Sequence, residues 1–291
     1  MMHRHAATVT LVALTAALAA PGTVLAEEAA PASPISANVS LTSNYKFRGQ
    51  DQDQIGHNGY YKTRGIKPAL QGGFDYAHES GFYVGNWNSS VNWLSGNSIE
   101  SDLYGGYKFK AGPIDWDVGV ITYIYPGNHV GNTTEIYGGG TWSDDVFGSL
   151  TVKYSHTVSK DYFGYAGYDA WDPLSFTKRP KGRGTGYLNI AYSKEIIPSL
   201  TLKAAIGYTR MSSDIRAAGY RNYVDYNVGA TYDFGGGLSL TGSVQGANKK
   251  SNYMLTTWDG IDLLGDGSFI YGGGQQSVNK ARFIVTLSKT F

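Results

Sequence analysis

Val224-Asp225-Tyr226-Asn227-Val228-Gly229-Ala230-Thr231-Tyr232-Asp233-Phe234 alternates apolar and polar side chains along its length. Successive side chains of an extended strand point to opposite faces, so this stretch carries one oily face and one wet face. The same pattern recurs along the chain. Leu200, Leu202, Ala204, Ile206 and Tyr208 oppose Thr201, Lys203 and Thr209. Leu150, Val152, Tyr154 and Val158 oppose Thr151, Lys153, Ser155 and Thr157. Ile99, Leu103, Tyr107 and Phe109 alternate with Glu100, Asp102, Lys108 and Lys110. Leu70, Phe74 and Tyr76 alternate with Gln71, Gly73 and Asp75, and Val39, Leu41, Tyr45 and Phe47 with Ser40, Thr42, Asn44 and Lys46. At the end of the chain Phe283, Val285 and Leu287 stand against Arg282, Thr286 and Ser288.

Counting such segments gives about twelve strands, near residues 38–48, 67–78, 82–94, 98–110, 114–125, 133–143, 149–159, 185–195, 200–209, 223–234, 238–247 and 280–291. Each approaches the roughly 9–11 tilted residues that cross a bilayer core. Two break the pattern. In 82–94, Phe82 and Val84 share a face with Asn86 and Asn92; in 114–125, Ile121 and Tyr123 fall on the face of Asp115. A bulge in either would restore the alternation.

The connections sort into two lengths. Glu79-Ser80-Gly81, Ala111-Gly112-Pro113, Asp144 to Gly148, Ile196 to Ser199 and Gly235-Gly236-Gly237 are tight turns. Between them lie 49–66, 95–97, 126–132, 160–184, 210–222 and 248–279, and only 95–97 is short. Short turns at one end and long loops at the other describe a transmembrane barrel with an even number of strands, not a sandwich. In hydrocarbon every backbone N–H and C=O needs a partner, so the first strand must close on the last. The expected fold is all-β: an antiparallel up-and-down barrel with short periplasmic turns and longer extracellular loops. Trp87, Trp93, Trp116, Trp142, Tyr45, Tyr107, Tyr154, Tyr208 and Tyr226 fall on the apolar parity, where an aromatic girdle belongs.

Composition agrees. Glycine (39) and tyrosine (23) are abundant, cysteine is absent, and charged residues make up 16%. That aromatic load argues against disorder, and a chain without cysteine has no disulfide scaffold. The N-terminus reads as an address: a short basic start with Arg4, an apolar run from Val9 to Ala20, and Val24-Leu25-Ala26 as a small-x-small cleavage site. This divides the chain into a signal peptide (1–26), a periplasmic spacer (27–37) rich in Ala, Pro and acid, and the barrel (38–291). Cleavage removes Arg4 from 24 basic residues and leaves them balanced by 23 acidic ones, for a formal net charge of zero. Nucleic acid, which wants a basic excess, is not an expected partner.

From Leu41 to Trp142 the chain resembles the TorF family of porin-like proteins, also called Gcw_chp, proteobacterial proteins of unknown function. The resemblance rests on Leu41-Thr42-Ser43-Asn44-Tyr45-Lys46-Phe47-Arg48-Gly49, Lys67-Pro68-Ala69-Leu70-Gln71-Gly72-Gly73-Phe74-Asp75-Tyr76 and Gly81-Phe82-Tyr83-Val84-Gly85-Asn86-Trp87. It continues through Glu100-Ser101-Asp102-Leu103-Tyr104-Gly105-Gly106-Tyr107, Tyr123-Ile124-Tyr125-Pro126-Gly127 and Glu135-Ile136-Tyr137. The loop from Gln50 to Ile66 is longer than the family's usual link. The resemblance implies outer-membrane residence and a pore, with no settled substrate.

Catalytic and metal chemistry find little footing, and no cofactor is expected. There is no Cys, and His57, His78, His129 and His156 lie in separate segments. Asp51 to Gly56 begins like a calcium loop, but Ile55 and Lys62 occupy positions that need oxygen ligands. Gly182-Arg183-Gly184-Thr185-Gly186 lacks dinucleotide-loop spacing and follows no strand. His156, on the apolar parity, leaves a remote reading as a lipid hydrolase, for which no motif identifies the serine.

The wet parity supplies the pore-lining candidates: Lys46, Asp75, Glu100, Asp102, Lys108, Asp115, Asp117, Glu135, Lys153, Lys203, Asp225, Asp233 and Arg282. Mixed signs predict weak ion selectivity. About twelve strands enclose a lumen between those of filled eight-stranded barrels and open sixteen-stranded porins. The expectation is a porin-like channel for small hydrophilic solutes, the alternative a plugged structural or surface-binding barrel. Expected partners are outer-membrane lipid, those solutes, and the assembly machinery, met through the strand ending in Phe291.

Overall fold

The computed structural model describes residues 33–53, 66–93, 96–166, 180–263 and 269–291; the expected signal peptide lies outside them. Twelve strands form one closed antiparallel barrel. They are β1 (Ile35–Thr42), β2 (Ala69–Ala77), β3 (Phe82–Ser90), β4 (Ile99–Ala111), β5 (Ile114–Ile124), β6 (Thr133–Asp144), β7 (Gly148–Thr157), β8 (Gly186–Ile197), β9 (Leu200–Arg210), β10 (Tyr223–Gly235), β11 (Leu238–Ala247) and β12 (Arg282–Thr290). Each pairs with its neighbours in sequence, and β1 pairs with both β2 and β12. Closure extends past the strands: Phe291 N–H donates to the Ala37 carbonyl at 2.9 Å.

Outside the wall, alternate side chains present an apolar surface. Phe74, Val84, Val228, Phe283 and Leu287 are all exposed. Trp116, Trp142, Tyr107, Tyr154, Tyr208 and Tyr226 lie on this face as expected. Inside, buried polar groups share the space with a large aromatic cluster.

Most strand ends fall within two residues of expectation, and the exceptions are informative. The first strand stops at Thr42, not near 48. Ser43 N–H still reaches the Val285 carbonyl at 2.8 Å, and then the chain turns into the barrel. Arg48 (φ 46°) and Gly49 (φ 76°) reverse it, pairing Lys46–Phe47 with Gln50–Asp51. Two consecutive positive φ values suit a two-residue hairpin turn. Tyr45, expected at the lipid face, is therefore buried inside. β3 ends at Ser90, so its connection to β4 is 91–98 and joins the long-loop class after all. The expected loop 248–279 contains a hairpin, Met254–Leu263 with Phe269–Ser277; its register shift between Trp258 and Ile261 breaks the alternation that would have revealed it.

Neither irregular strand contains a bulge. In β3, Phe82, Val84, Asn86, Asn88 and Ser90 face outward, while Gly85, Trp87 and Ser89 face inward. Trp87 therefore packs edge-on against Tyr45 inside the barrel instead of joining a girdle. Trp93, also expected on the apolar parity, meets Tyr125 edge-on in the same interior cluster. In β5, Ile121 and Tyr123 do point inward with Asp115, and Tyr123 is buried there against Phe47 and Phe163.

Candidate functional site: the barrel interior

The interior divides by height. In the loop-end half, residues 43–53 cross the lumen and are tied to its wall. Lys46 Nζ lies 3.0 Å from Asp51 and donates to the carbonyls of Gly49 and Val278, each at 2.9 Å. Asp51 also accepts from Arg282 Nε at 2.9 Å. Burial lowers the Lys46 pKa to about 8, against the opposing pull of Asp51. Gln50 donates to Asn279 at 3.0 Å and accepts from the Tyr165 hydroxyl at 2.7 Å.

Arg48 is the hub of this segment. Both of its terminal nitrogens donate to Glu135, at 2.6 and 3.0 Å, a bidentate fork suited to guanidinium and carboxylate. Its flat group lies 4.1 Å from the centroid of Tyr187 and 4.8 Å from that of Phe47. Burial opposes its charge, and Glu135 more than restores it. Phe47 in turn packs on Tyr123 and Phe163, at 5.4 and 5.0 Å between centroids. Tyr165, Tyr220 and Tyr253 extend the cluster toward the loops. A small gap of about 20 Å³ remains among Phe47, Arg48, Gln50, Trp93, Tyr162 and Tyr165.

Around and below this plug runs a belt in which tyrosine rings lie over glycines of neighbouring strands. A Cβ added at Gly119 would meet the Tyr137 hydroxyl at 2.5 Å, and one at Gly106 would meet that of Tyr83 at 2.6 Å. Gly85 and Gly207 make the same room for Tyr104 and Tyr187. The hydroxyls find carboxylates: Tyr104 on Asp75 at 2.5 Å, Tyr83 on Asp117 at 2.6 Å and Tyr187 on Asp225 at 3.1 Å. Tyr83 also meets the Tyr137 hydroxyl. Higher up, Tyr45 and Tyr125 both donate to Glu100, at 2.9 and 2.8 Å.

Toward the turn end the wall is lined by smaller polar groups. Thr141 pairs with Thr151, Ser143 with Ser149 and Thr231 with Thr241, each at 2.9 Å. Elsewhere on the wall several buried charged or amide atoms have no hydrogen-bond partner in the protein: both carboxylate oxygens of Asp102, Lys153 Nζ, Asp225 Oδ2 and Asn227 Oδ1. Lys153 Nζ instead sits 3.2 Å from the centroid of the Tyr137 ring.

A family model described as "Bacterial protein of unknown function (Gcw_chp)" matches residues 26–291. The chain belongs to the Gcw_chp family. The match spans nearly the whole chain, where the motifs quoted above cover about a third of it. No curated protein matches. Among solved structures, the NanC porin is 10% identical, with 88% of this chain and 98% of that one covered, at a TM-score of 0.51. The KdgM porin, solved in complex with disordered oligogalacturonate, has the same identity and coverages at 0.49. OprD from Pseudomonas aeruginosa is 14% identical, covering 79% and 60%, at 0.35. At such identities the NanC likeness bears on the fold alone.

In this Gcw_chp barrel the thirteen residues named from the wet parity do not form one surface. Asp75, Glu100, Asp102, Lys108, Asp117, Glu135, Lys153, Lys203, Asp225 and Arg282 project from the inner face of the wall. Asp115 and Asp233 sit at the turn-end rim: Asp115 beside Lys110 at 3.2 Å, both more than half exposed, and Asp233 accepting from Gly235 N–H at 2.8 Å. Lys46 is not on the wall at all; it belongs to the segment that crosses the lumen. The sequence reading missed Arg48, Asp51 and the interior tyrosines. Tyr104 had left a signal, since it shares parity with Glu100, Asp102 and Lys108; so had Tyr137, two residues from Glu135. Outside the wall, His156 lies near the loop end and stacks on Tyr154 at 6.4 Å; among the described residues no serine hydroxyl bonds to it.

Proposed function

We propose that this protein is a narrow porin-like channel of the Gram-negative outer membrane, passing small hydrophilic solutes, in a conformation closed on its extracellular side. The observation that carries the reading is the interior below the plug, where inward Lys108 and Asp117 and the Thr141–Thr151 and Thr231–Thr241 pairs form a polar wall that is only part-buried. Polar groups lose several kcal/mol when sealed dry without partners, so a wet lumen suits this wall and a dry core does not. The inner charges are of both signs, which supports weak ion selectivity. This reading makes the inner-wall candidates pore-lining residues, cleaves the leader after Ala26, places lipid around the apolar belt, and sends the strand ending in Phe291 to the assembly machinery. The TorF name would then fit this member.

One observation favours a second reading, a permanently plugged barrel: segment 43–53 is held by buried ion pairs at both Lys46 and Arg48. Single-channel recording of the refolded protein in a planar bilayer separates the two. The channel predicts discrete openings and a reversal potential near zero in a potassium chloride gradient. A folded but silent protein would establish the plugged barrel, and a strongly shifted reversal potential would refute the weak selectivity.

A further inference from the structure

The outer face of the barrel is not uniformly apolar. On the loop-end half of β3–β6, outward positions carry Asn86, Asn88, Ser90, Ser101, Thr122 and Thr134. They bond along the surface: Asn88 to Asn86 at 2.6 Å, Ser101 to Asn88 at 2.8 Å, Asn86 to Ser101 at 3.3 Å, and Thr122 with Thr134 at 3.1 Å. Among the described residues, outward positions between the rims of β8–β12 hold apolar side chains and glycine, such as Ile190, Ile206, Val228, Gly242 and Val285. The polar patch is one-sided. Glycines at Gly105 and Gly138 lie outward on the same sector and lower its relief.

We propose that this sector is the contact surface for a second copy of the chain, side by side in the membrane. Polar and small residues facing hydrocarbon are costly or useless against lipid tails, yet they hold membrane segments together when two such faces meet. The patch complements itself. Asn86 Oδ1 accepts one hydrogen bond and has a lone pair left, while the Thr122–Thr134 pair uses one of its two hydroxyl protons. Asn86, Leu103 and Thr122 stand opposite one another across β3, β4 and β5. Copies inserted in the same direction are related by a twofold axis along the membrane normal. With that axis at Leu103, β5 of each copy faces β3 of the other, bringing hydroxyl donors on one toward amide acceptors on the other. Charge argues against an anionic lipid headgroup as the occupant, because no outward position of β3–β7 holds Lys or Arg. Four strands at about 4.8 Å spacing, over an apolar band about 25 Å tall, offer on the order of 900 Å² for the pair, below the roughly 1,200 Å² of standard interfaces, so the association is a weak one.

The chain contains no cysteine, so single cysteines report cleanly. Leu103→Cys should give a covalent dimer with a short bis-maleimide in outer-membrane preparations, and Val228→Cys, equally exposed on the far side, should not. Asn86→Leu should weaken self-association on the order of tenfold by sedimentation in detergent, with heat-modifiable migration unchanged. Equal cross-linking from both cysteines, none from Leu103→Cys, or a wild type that sediments as a monomer at all concentrations would overturn the proposal. This test is independent of whether the lumen conducts.

Discussion

Arg48 shows how much one side chain decides. It reaches Glu135 from a segment that the alternation alone would have continued as wall, and both groups are almost wholly buried. Removing one member of a buried pair strands the other, whereas removing both leaves nothing to desolvate. Glu135→Ala is therefore expected to destabilise the barrel by about 3–5 kcal/mol in urea titrations from lipid vesicles. The Arg48→Met, Glu135→Leu double variant should lose far less than the single one. Equal losses would mean that the ion pair is not what holds Arg48 inside.

At the scale of strands, the abundance of both glycine and tyrosine has a common cause. Rings need space, and a glycine on the adjacent strand provides it. Gly119 illustrates the constraint, because an added Cβ would come within 2.5 Å of both the Gly105 carbonyl and the Tyr137 hydroxyl. Gly119→Ala should cost about 1–3 kcal/mol, since a ladder carbonyl must shift. Gly138→Ala, whose Cβ would meet only a Val118 methyl at 3.7 Å, should change stability by less than about 0.5 kcal/mol. Chemical denaturation of the two variants side by side provides the comparison. The strands themselves were legible because period two is a local property of the sequence, visible in Val224 to Phe234 without any partner. Which way a tyrosine points was less legible. Tyrosine suits a lipid boundary and a carboxylate-lined lumen equally well, so Tyr208 could be placed and Tyr45 could not. The inward turn after Thr42 depends on contacts with Glu135, Asn279 and Arg282, far along the chain, and no window around residue 45 contains them.

The whole molecule is a wall and a filling, and only the wall is held by continuous ladders. No ladder of the closed sheet passes through residues 43–53. Replacing residues 44–52 by a Gly-Ser segment of equal length should leave a folded, heat-modifiable barrel whose single-channel conductance is several-fold higher. An unchanged conductance would place the constriction in the tyrosine belt below.

The joining of Ala37 to Phe291 carries a consequence for how the molecule comes into being. Every ladder of the wall but one links strands that are neighbours in the chain, and those pairings can form locally. The remaining seam unites the two most remote strands, so the cylinder has a gap until the first and last strands meet. An unfinished chain has two bare edges, and the ring is whole only when its end finds its beginning.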